Sequence, residues 1–192
     1  MDNERKPDEM RIAKLTAGNP HLARIEEINN EAFPDSERVS VPTMLAFVRD
    51  GNGEILGLYE GKSDSAENLP VGFGFAVTGA QVVYLFFFAI ERDRRNHGVG
   101  SRALAAICEH FHGRQVILDF EELLPGRPET ELRERRKAFY LRNGFCETGR
   151  YTALPCGRFE VVCQPGQLLS DDFASLIHII HAYVPDYVDA LI

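Results

Sequence analysis

The chain has 192 residues, of which 44% are hydrophobic and 26% are charged, and its formal net charge is −8. This length fits one domain with a sizeable core, and the composition is typical of a soluble globular protein. The acidic excess argues against non-specific binding to nucleic acid or to an anionic membrane, and it favours a cationic small molecule as a substrate. The longest apolar run, over residues 82–90, is too short to span a bilayer.

Residues 1–10 contain no apolar stretch, which predicts a frayed or disordered N-terminus without a secretory signal. The four cysteines form no CxxC pair, so we expect reduced thiols. No zinc-binding or Walker pattern occurs, so we expect no metal. Together these features predict a cytoplasmic protein.

Hydrophobic periodicity predicts a strand, two helices and three further strands in the first half of the chain. The first strand covers residues 11–17. Asn19 is expected to cap a helix that ends near Phe33, and a second helix covers residues 42–49. The turn DGNGE then leads to three strands, which are predicted over residues 55–60, 71–77 and 82–90. The last two are joined by TGAQ, which predicts an antiparallel hairpin.

Helices and strands alternate in the second half. After a basic loop, an apolar stripe that ends at Phe111 predicts a helix. The next elements are a strand, a helix and two strands, predicted over residues 116–120, 132–142, 145–154 and 159–164. Ser170 is expected to cap a final helix. This order predicts one mixed α/β (α+β) domain over residues 11–164. A helical extension over residues 165–192 would pack on that domain or form a homodimer interface.

Two glycine patterns overlap within AIERDRRNHGVGSRALAAICEHF, residues 89–111. The pattern G-x-G-x-x-A, from Gly98 to Ala103, is the fingerprint of NAD-binding Rossmann domains, and Asp119 follows at a suitable distance. However, ERDRRNH separates the preceding strand from the first glycine, and antiparallel strands precede the motif. Both features argue against NAD as the ligand.

The pattern R-x-x-G-x-G, from Arg95 to Gly100, explains the inserted loop better. Glycines let the backbone approach a ligand closely, and free N–H groups from Asn96 to Ser101 would face a pyrophosphate at the positive end of the helix. The Arg95 guanidinium would add a bidentate contact. The loop is therefore predicted to bind a pyrophosphate.

The stretch LFFFAIERDRRNHGVGSRAL resembles the acetyl-CoA motif of the GNAT N-acetyltransferase family, and AFYLRNGF, residues 138–145, resembles its second motif. The resemblance covers roughly residues 72–163. It implies a twisted, mixed but mostly antiparallel sheet with helices on both faces. It also implies an enzyme that moves an acetyl group from acetyl-CoA to a primary amine by direct attack in a ternary complex.

The acidic composition favours a small cationic amine as the acceptor, and a protein or peptide amine is the second option. A non-catalytic acyl-CoA-binding sensor or interaction module on the same fold is the alternative function. Both functions require that the protein binds CoA, but only the enzyme would convert acetyl-CoA to CoA.

The resemblance also implies which residues form the site. Those expected to bind the co-substrate are Phe88, Ala89, Ile90, Arg95, Asn96, His97, Gly98, Val99, Gly100, Ser101 and Asn143. The sheet would splay beside residues 82–90, so that backbone groups of Phe88 and Ile90 bind the pantetheine arm like an added strand. Tyr140 would donate a proton to the departing thiolate.

No motif identifies the general base. An alkylamine is protonated at neutral pH and must lose a proton before it attacks. The strand over residues 82–90 has no carboxylate, although many family members carry one there. Glu121 and Asp119 share a face of the next strand, and Tyr84 is a further candidate that would act through water. Glu121 is nearer the open end of its strand, and we expect it to be the base.

Overall fold

The computed structural model describes residues 10–61, 68–123, 126, 130–154, 157–164 and 166–185. The elements, in chain order, are β1 Met10–Leu15, α1 Leu22–Ala32, α2 Val41–Arg49, β2 Gly53–Glu60, β3 Gly72–Thr78, β4 Val82–Ile90, a 3-10 turn Arg92–Arg94, α3 Val99–His110, β5 Gln115–Glu121, α4 Thr130–Arg142, β6 Cys146–Leu154, β7 Gly157–Gln164 and α5 Ser170–Tyr183. This order of helices and strands is the predicted one. The predicted frayed segment lies outside the described residues, except for Met10.

The seven strands form one sheet in the order β1-β2-β3-β4-β5-β7-β6. Neighbouring strands are antiparallel except for β4 and β5, which run parallel. These two pair only between residues 82–84 and 115–117, and beyond that point they separate. The prediction of a mixed, mostly antiparallel sheet is confirmed, and the separation creates an opening in its middle.

Helices cover both faces of the sheet. Buried side chains of α1, α2 and α5 form one core with the first face, and those of α3 and α4 form another with the second face. Side chains of β5 alternate between the two: Ile117 belongs to the first core, whereas Val116 and Leu118 belong to the second. Both cores therefore border the opening between β4 and β5.

A β-bulge interrupts β4 next to this opening. Phe75 pairs with Phe87 and Ala76 pairs with Leu85, which leaves Phe86 as an extra residue. Phe86 and Phe87 consequently both pack in the first core, although adjacent side chains of a strand normally point to opposite faces. Their ring centroids lie 4.9 Å apart at the edge of the opening.

Two predicted helix caps are wrong. Helix α1 begins at Leu22, because Asn19 Oδ1 accepts a hydrogen bond from the His21 N–H at 2.9 Å and closes a turn before the helix. Ser170 is the first residue of α5, and no side chain caps that helix at the preceding Leu169. The Leu169 N–H instead donates to a glutamine side chain on β5 at 3.0 Å.

Helix α5 packs onto the first core through an apolar stripe, whose buried members are Phe173, Leu176, Ile177 and Ile180. At its end Tyr183 stacks on Phe47 of α2, with ring centroids 3.8 Å apart, and its hydroxyl donates to Asp50 at 2.9 Å. Residues 186–192 of the predicted extension lie outside the described residues. Within the part of the chain that is described, no helix combines the length and apolar character needed to cross a membrane.

We expect Phe47→Ala to lower the free energy of unfolding by about 3–5 kcal/mol. Phe47 lies on α2 and is fully buried against β3 and α5. Loss of its ring therefore leaves a cavity beside Phe75 and Tyr183. Urea denaturation measures the change. Leu69 is 52% exposed, and Leu69→Ala should change the same free energy by less than about 0.5 kcal/mol. A loss below about 1 kcal/mol for Phe47→Ala would contradict this packing.

Candidate active site

A cleft of about 1410 Å³ passes through the sheet where β4 and β5 separate. Its walls are the open edges of these strands, the beginning of α3, one side of α4, the residues that follow α1 and the start of β7. Because the cleft connects both faces of the sheet, a molecule bound along α3 and α4 can meet one bound beside α1.

The loop before α3 presents unpaired N–H groups to this cleft. Asn96 and Gly98 have left-handed backbones, with φ of 68° and 73°, which turn the chain sharply into the helix. In the described structure, no main-chain N–H of residues 96–101 donates to a main-chain carbonyl. Asn96, Gly98, Gly100 and Ser101 line the cleft. These N–H groups and the positive end of α3 suit an anionic group.

Arg95 stands at the junction of β4 and this loop. Its Nε donates to the Ile90 carbonyl at 2.8 Å, which fixes the side chain at the edge of the cleft. The two terminal guanidinium nitrogens have no hydrogen-bond partner among the described residues, so they remain available to an anion. The same bond occupies the Ile90 carbonyl, which we had expected to be open for a pantetheine arm.

Phe88, Ala89 and Ile90 line the cleft at the end of β4. They pair with β3 on one side, and on the other side no strand of the described structure pairs with them. A free strand edge of this kind can accept an extended ligand arm as an additional strand. Phe88 also stacks on Phe139 of α4, with ring centroids 6.5 Å apart, and so connects the edge to the second core.

Three residues that were predicted to bind the co-substrate do not line the cleft. The Val99 side chain is buried in the second core. His97 is exposed, and its carbonyl accepts from Arg102 at 3.2 Å. The Asn143 amide donates to the Phe139 carbonyl at 2.7 Å within α4. The contacts predicted for His97 and Val99 would be made by their main-chain N–H groups, so binding of the co-substrate by these two residues and by Asn143 stays a prediction.

Tyr140 projects from α4 into the cleft. Its ring stacks on Phe120 with centroids 5.5 Å apart, and only 8% of the residue is exposed. Burial raises the pKa of Tyr140 to about 12, and no hydrogen bond from the described residues offsets this effect. The phenol therefore keeps its proton at neutral pH and can donate it.

Glu121, the predicted base, has a cationic partner. Arg136 of α4 donates from Nη1 to Glu121 Oε2 across the cleft. The guanidinium occupies one oxygen of this carboxylate and balances its charge. Glu121 therefore holds Arg136 at the wall of the cleft, and its role as the base stays a prediction.

Asp119, two residues earlier on β5, occupies a different environment. Its Oδ2 accepts hydrogen bonds from the Tyr84 hydroxyl at 2.7 Å and from the Thr152 hydroxyl. Burial raises the pKa of the Asp119 carboxyl above its ordinary value, although these two hydrogen bonds and a third from the main chain at Asp119 act in the opposite direction. Asp119 and Tyr84 both line the cleft. In the sequence, Asp119 is noticeable as an acid within the apolar run VILDF, but the sequence does not identify its hydrogen-bond partners.

We expect Asp119→Asn to stabilise the protein at neutral pH. Because burial raises the pKa of Asp119 in the folded state, its ionisation is less favourable there than in the unfolded chain. The wild type therefore loses stability, relative to the variant, as the pH rises from about 4 through the folded-state pKa. Thermal unfolding should give a variant Tm that is higher by roughly 2–5 °C at neutral pH and similar near pH 4. A lower Tm at neutral pH would contradict the assignment.

The two walls of the cleft differ in chemical character. The wall formed by α3, α4 and the preceding loop is basic, and its arginines are Arg95, Arg133, Arg135, Arg136 and Arg142. The opposite wall is aromatic and acidic, and its members are Phe33, Glu37, Tyr84, Phe86, Phe87, Asp119 and Phe159. The first wall suits phosphate groups, and the second suits a cation with an apolar body.

Comparison with known proteins agrees with this architecture. The sequence matches the Acetyltransferase (GNAT) family over residues 22–145. A solved GNAT-family protein from Bacteroides thetaiotaomicron is 25% identical, with a TM-score of 0.69, and the match covers 91% of this chain and 97% of that one. No curated protein matched.

Two further solved structures share the fold at lower identity. A GNAT-family acetyltransferase from Elizabethkingia anophelis, with acetyl-CoA bound, is 12% identical with a TM-score of 0.56, over 83% of this chain and 99% of that one. An aminoglycoside 6′-N-acetyltransferase complexed with coenzyme A is 16% identical with a TM-score of 0.60, over 80% and 96% of the two chains.

The family match, together with a mixed sheet that opens around a cleft beside a glycine-containing helix start, defines this protein as an acyltransferase. The family match spans more than half of the sequence. The chain therefore belongs to the GNAT acetyltransferase family, which confirms the identification made from its two motifs.

Proposed function

We propose that the protein transfers the acetyl group of acetyl-CoA to a primary amine, by direct attack within a ternary complex. The observation that carries this proposal is the division of the cleft, because a basic wall meets an aromatic and acidic wall at the opening between β4 and β5. The acetyl-CoA and coenzyme A bound in two of the related structures support the same co-substrate here.

The basic wall would receive the CoA moiety. The N–H groups of residues 96–101 and the free guanidinium nitrogens of Arg95 would bind the pyrophosphate. The pantetheine arm would follow the open edge of β4 at Phe88 and Ala89, which leads from the loop into the opening. This path brings the thioester between β4 and β5, near the Tyr140 hydroxyl.

Acetyl transfer would then proceed by direct nucleophilic substitution at the thioester carbonyl. The neutral amine attacks the carbonyl carbon, a C–N bond forms, and the C–S bond breaks as the thiolate leaves. Tyr140 gives its proton to the sulfur, and the nitrogen, which must shed one proton to become an amide, returns a proton to the phenolate. Tyr140 is thereby regenerated, and the products are the acetylated amine and free CoA.

The aromatic and acidic wall would receive the acceptor. Phe33 and Phe87 contact edge to face, with ring centroids 4.9 Å apart, and Glu37 lies at the same wall. Aromatic faces and carboxylates attract an ammonium group. We therefore propose a small cationic amine as the acceptor, and the aminoglycoside acceptor of one related structure is a molecule of this class.

The test is a screen of purified protein with acetyl-CoA and a set of amines, which includes alkylamines, polyamines, aminoglycosides and a peptide with a free N-terminus. Release of the CoA thiol is followed, and the acetylated product is verified by mass spectrometry. We expect transfer to at least one small cationic amine. Tight acetyl-CoA binding without transfer to any amine would overturn the proposal in favour of an acyl-CoA-binding module.

A further inference from the structure

The proposed reaction needs a group that accepts the proton of the incoming ammonium. At neutral pH an alkylamine with a pKa near 10.4 is almost entirely protonated, and the protonated nitrogen has no electron pair for attack. Tyr140 keeps its own proton, and Glu121 is bound by Arg136. Strand β4 carries no carboxylate. The acceptor of this proton must therefore be another group at the opening.

Asp119 lies on β5 just beyond the last residue that pairs with β4, which is Ile117. Its side chain shares a sheet face with the aromatic wall, because the register pairs Asp119 with Val161, a residue of the first core. The acetyl group and the acceptor amine would approach the opening from opposite faces. A carboxylate at this position is on the side of the acceptor.

The hydrogen bonds of Asp119 are distributed unevenly between its two oxygens. The hydroxyls of Tyr84, from β4, and Thr152, from β6, both donate to Oδ2. No side chain among the described residues donates to Oδ1. The two hydroxyls, together with a main-chain hydrogen bond at Asp119, therefore fix the orientation of the carboxyl group. Because no side chain of the described residues donates to Oδ1, this oxygen can accept from a donor in the cleft.

We propose that Asp119 is the catalytic residue that takes the proton from the acceptor ammonium at Oδ1, and that Tyr84 and Thr152 are positioning residues that hold it. This inference rests on the proposed function. In the step, an N–H bond of the ammonium breaks, an O–H bond forms at Oδ1, and the freed electron pair attacks the thioester. Asp119 later releases the proton to solvent, which accounts for the one proton that the overall reaction produces.

Two features of the site support this role. Burial raises the pKa of Asp119, which makes its carboxylate a stronger base than an exposed aspartate. Phe86 and Phe159, each 9% exposed, line the cleft on the same side and limit the access of water to the carboxylate. An ammonium that enters between these rings approaches Asp119, whose side-chain partners among the described residues are hydroxyls and not cations.

The experiment compares two acceptors in the wild type and in Asp119→Asn. One is the alkylamine that gives the highest rate in the amine screen. The other is its analogue with a trifluoromethyl group on the carbon that bears the nitrogen, which withdraws electrons strongly enough that the amine is neutral at the assay pH. For the alkylamine we expect kcat/KM of the variant to fall by roughly 100-fold or more, whereas for the fluorinated amine it should stay within about fivefold of the wild type.

Further variants keep the test specific. Thr152→Val removes one donor to Oδ2 and should give a loss of about tenfold with the same sparing of the fluorinated amine. Glu160→Gln is the matched control, because Glu160 is a buried strand carboxylate that pairs with Lys137 outside the cleft, and its rates should stay within about threefold of the wild type. Acetyl-CoA affinity and Tm verify that each variant is folded.

Each other outcome overturns a distinct claim. If Asp119→Asn acetylates the alkylamine as fast as the wild type does, or loses both amines equally while it still binds acetyl-CoA, Asp119 is not the proton acceptor. If Glu121→Gln shows the selective loss instead, the role belongs to Glu121. If the wild type acetylates no amine, the proposed function fails, and this inference fails with it.

Discussion

Replacement of Tyr140 by Phe is expected to lower kcat by roughly 100-fold and to leave acetyl-CoA affinity within about twofold. The ring would keep its stacking on Phe120 and its edge contact with Phe145, and the lost hydroxyl has no hydrogen bond within the described structure. The missing proton would have to come from water, which is a weaker acid than the phenol. Steady-state thiol release gives kcat, and calorimetry gives the affinity.

Tyr151→Phe serves as the control for this variant. Tyr151 lies on β6 beneath the Arg158 guanidinium and does not line the cleft, so the loss of its hydroxyl should leave kcat unchanged. If kcat of Tyr140→Phe equals that of the wild type, Tyr140 is not the acid. If the variant loses kcat and acetyl-CoA affinity to a similar extent, the hydroxyl instead contributes to the binding of acetyl-CoA.

The double variant Arg95→Ala, Gly98→Ala is expected to raise the Kd for acetyl-CoA by roughly 100-fold or more. A charge-assisted contact such as that of Arg95 contributes about 1.5–3 kcal/mol. Gly98 has φ of +73°, and an alanine there costs roughly 1–2 kcal/mol or shifts the N–H groups away from the ligand. Together these losses reach the 2.8 kcal/mol that corresponds to about 100-fold. Calorimetric titration with acetyl-CoA measures the change.

The opposite end of α3 offers a matched control. Gly113 also has a left-handed backbone, with φ of +84°, and the neighbouring Arg114 packs over the Phe111 ring away from the cleft. The variant Gly113→Ala, Arg114→Ala removes the same two residue types and should bind acetyl-CoA as the wild type does. Equal losses in both double variants would show a general effect on the helix and would contradict a pyrophosphate site at its beginning.

Much of the fold was predictable because local patterns determined it. Alternating and helical apolar spacings predicted most of the strands and helices, and the TGAQ turn predicted the β3–β4 hairpin. They did not predict the 3-10 turn Arg92–Arg94, and α4 has no apolar stripe. The wrong predictions concern the starts of two helices, where competing hydrogen bonds determine at which residue the helix begins. Asn19 was a sound capping residue by type, but its side chain accepts from the His21 N–H, just before the helix begins at Leu22. The bulge at Phe86 was also unpredictable, since it depends on the register with β3.

The candidate site was predictable where one continuous segment forms it. The loop over residues 95–101 has its glycines, its arginine and its helix start together in the sequence. The acid–base residues were harder, because their properties depend on distant partners. Glu121 and Asp119 are two residues apart. Glu121 nevertheless accepts a hydrogen bond from Arg136 of α4, whereas Asp119 accepts hydrogen bonds from hydroxyls of β4 and β6. Only the folded chain distinguishes the two carboxylates.

The measurement that tests the central claim most directly is a crystal structure of the protein with bound CoA. We predict that the pyrophosphate contacts the N–H groups of residues 96–101 and the Arg95 guanidinium. The pantetheine arm should run along the open edge of β4, and the sulfur should lie between β4 and β5 within hydrogen-bonding reach of the Tyr140 hydroxyl. CoA bound elsewhere, or a sulfur that points away from this opening, would contradict the account.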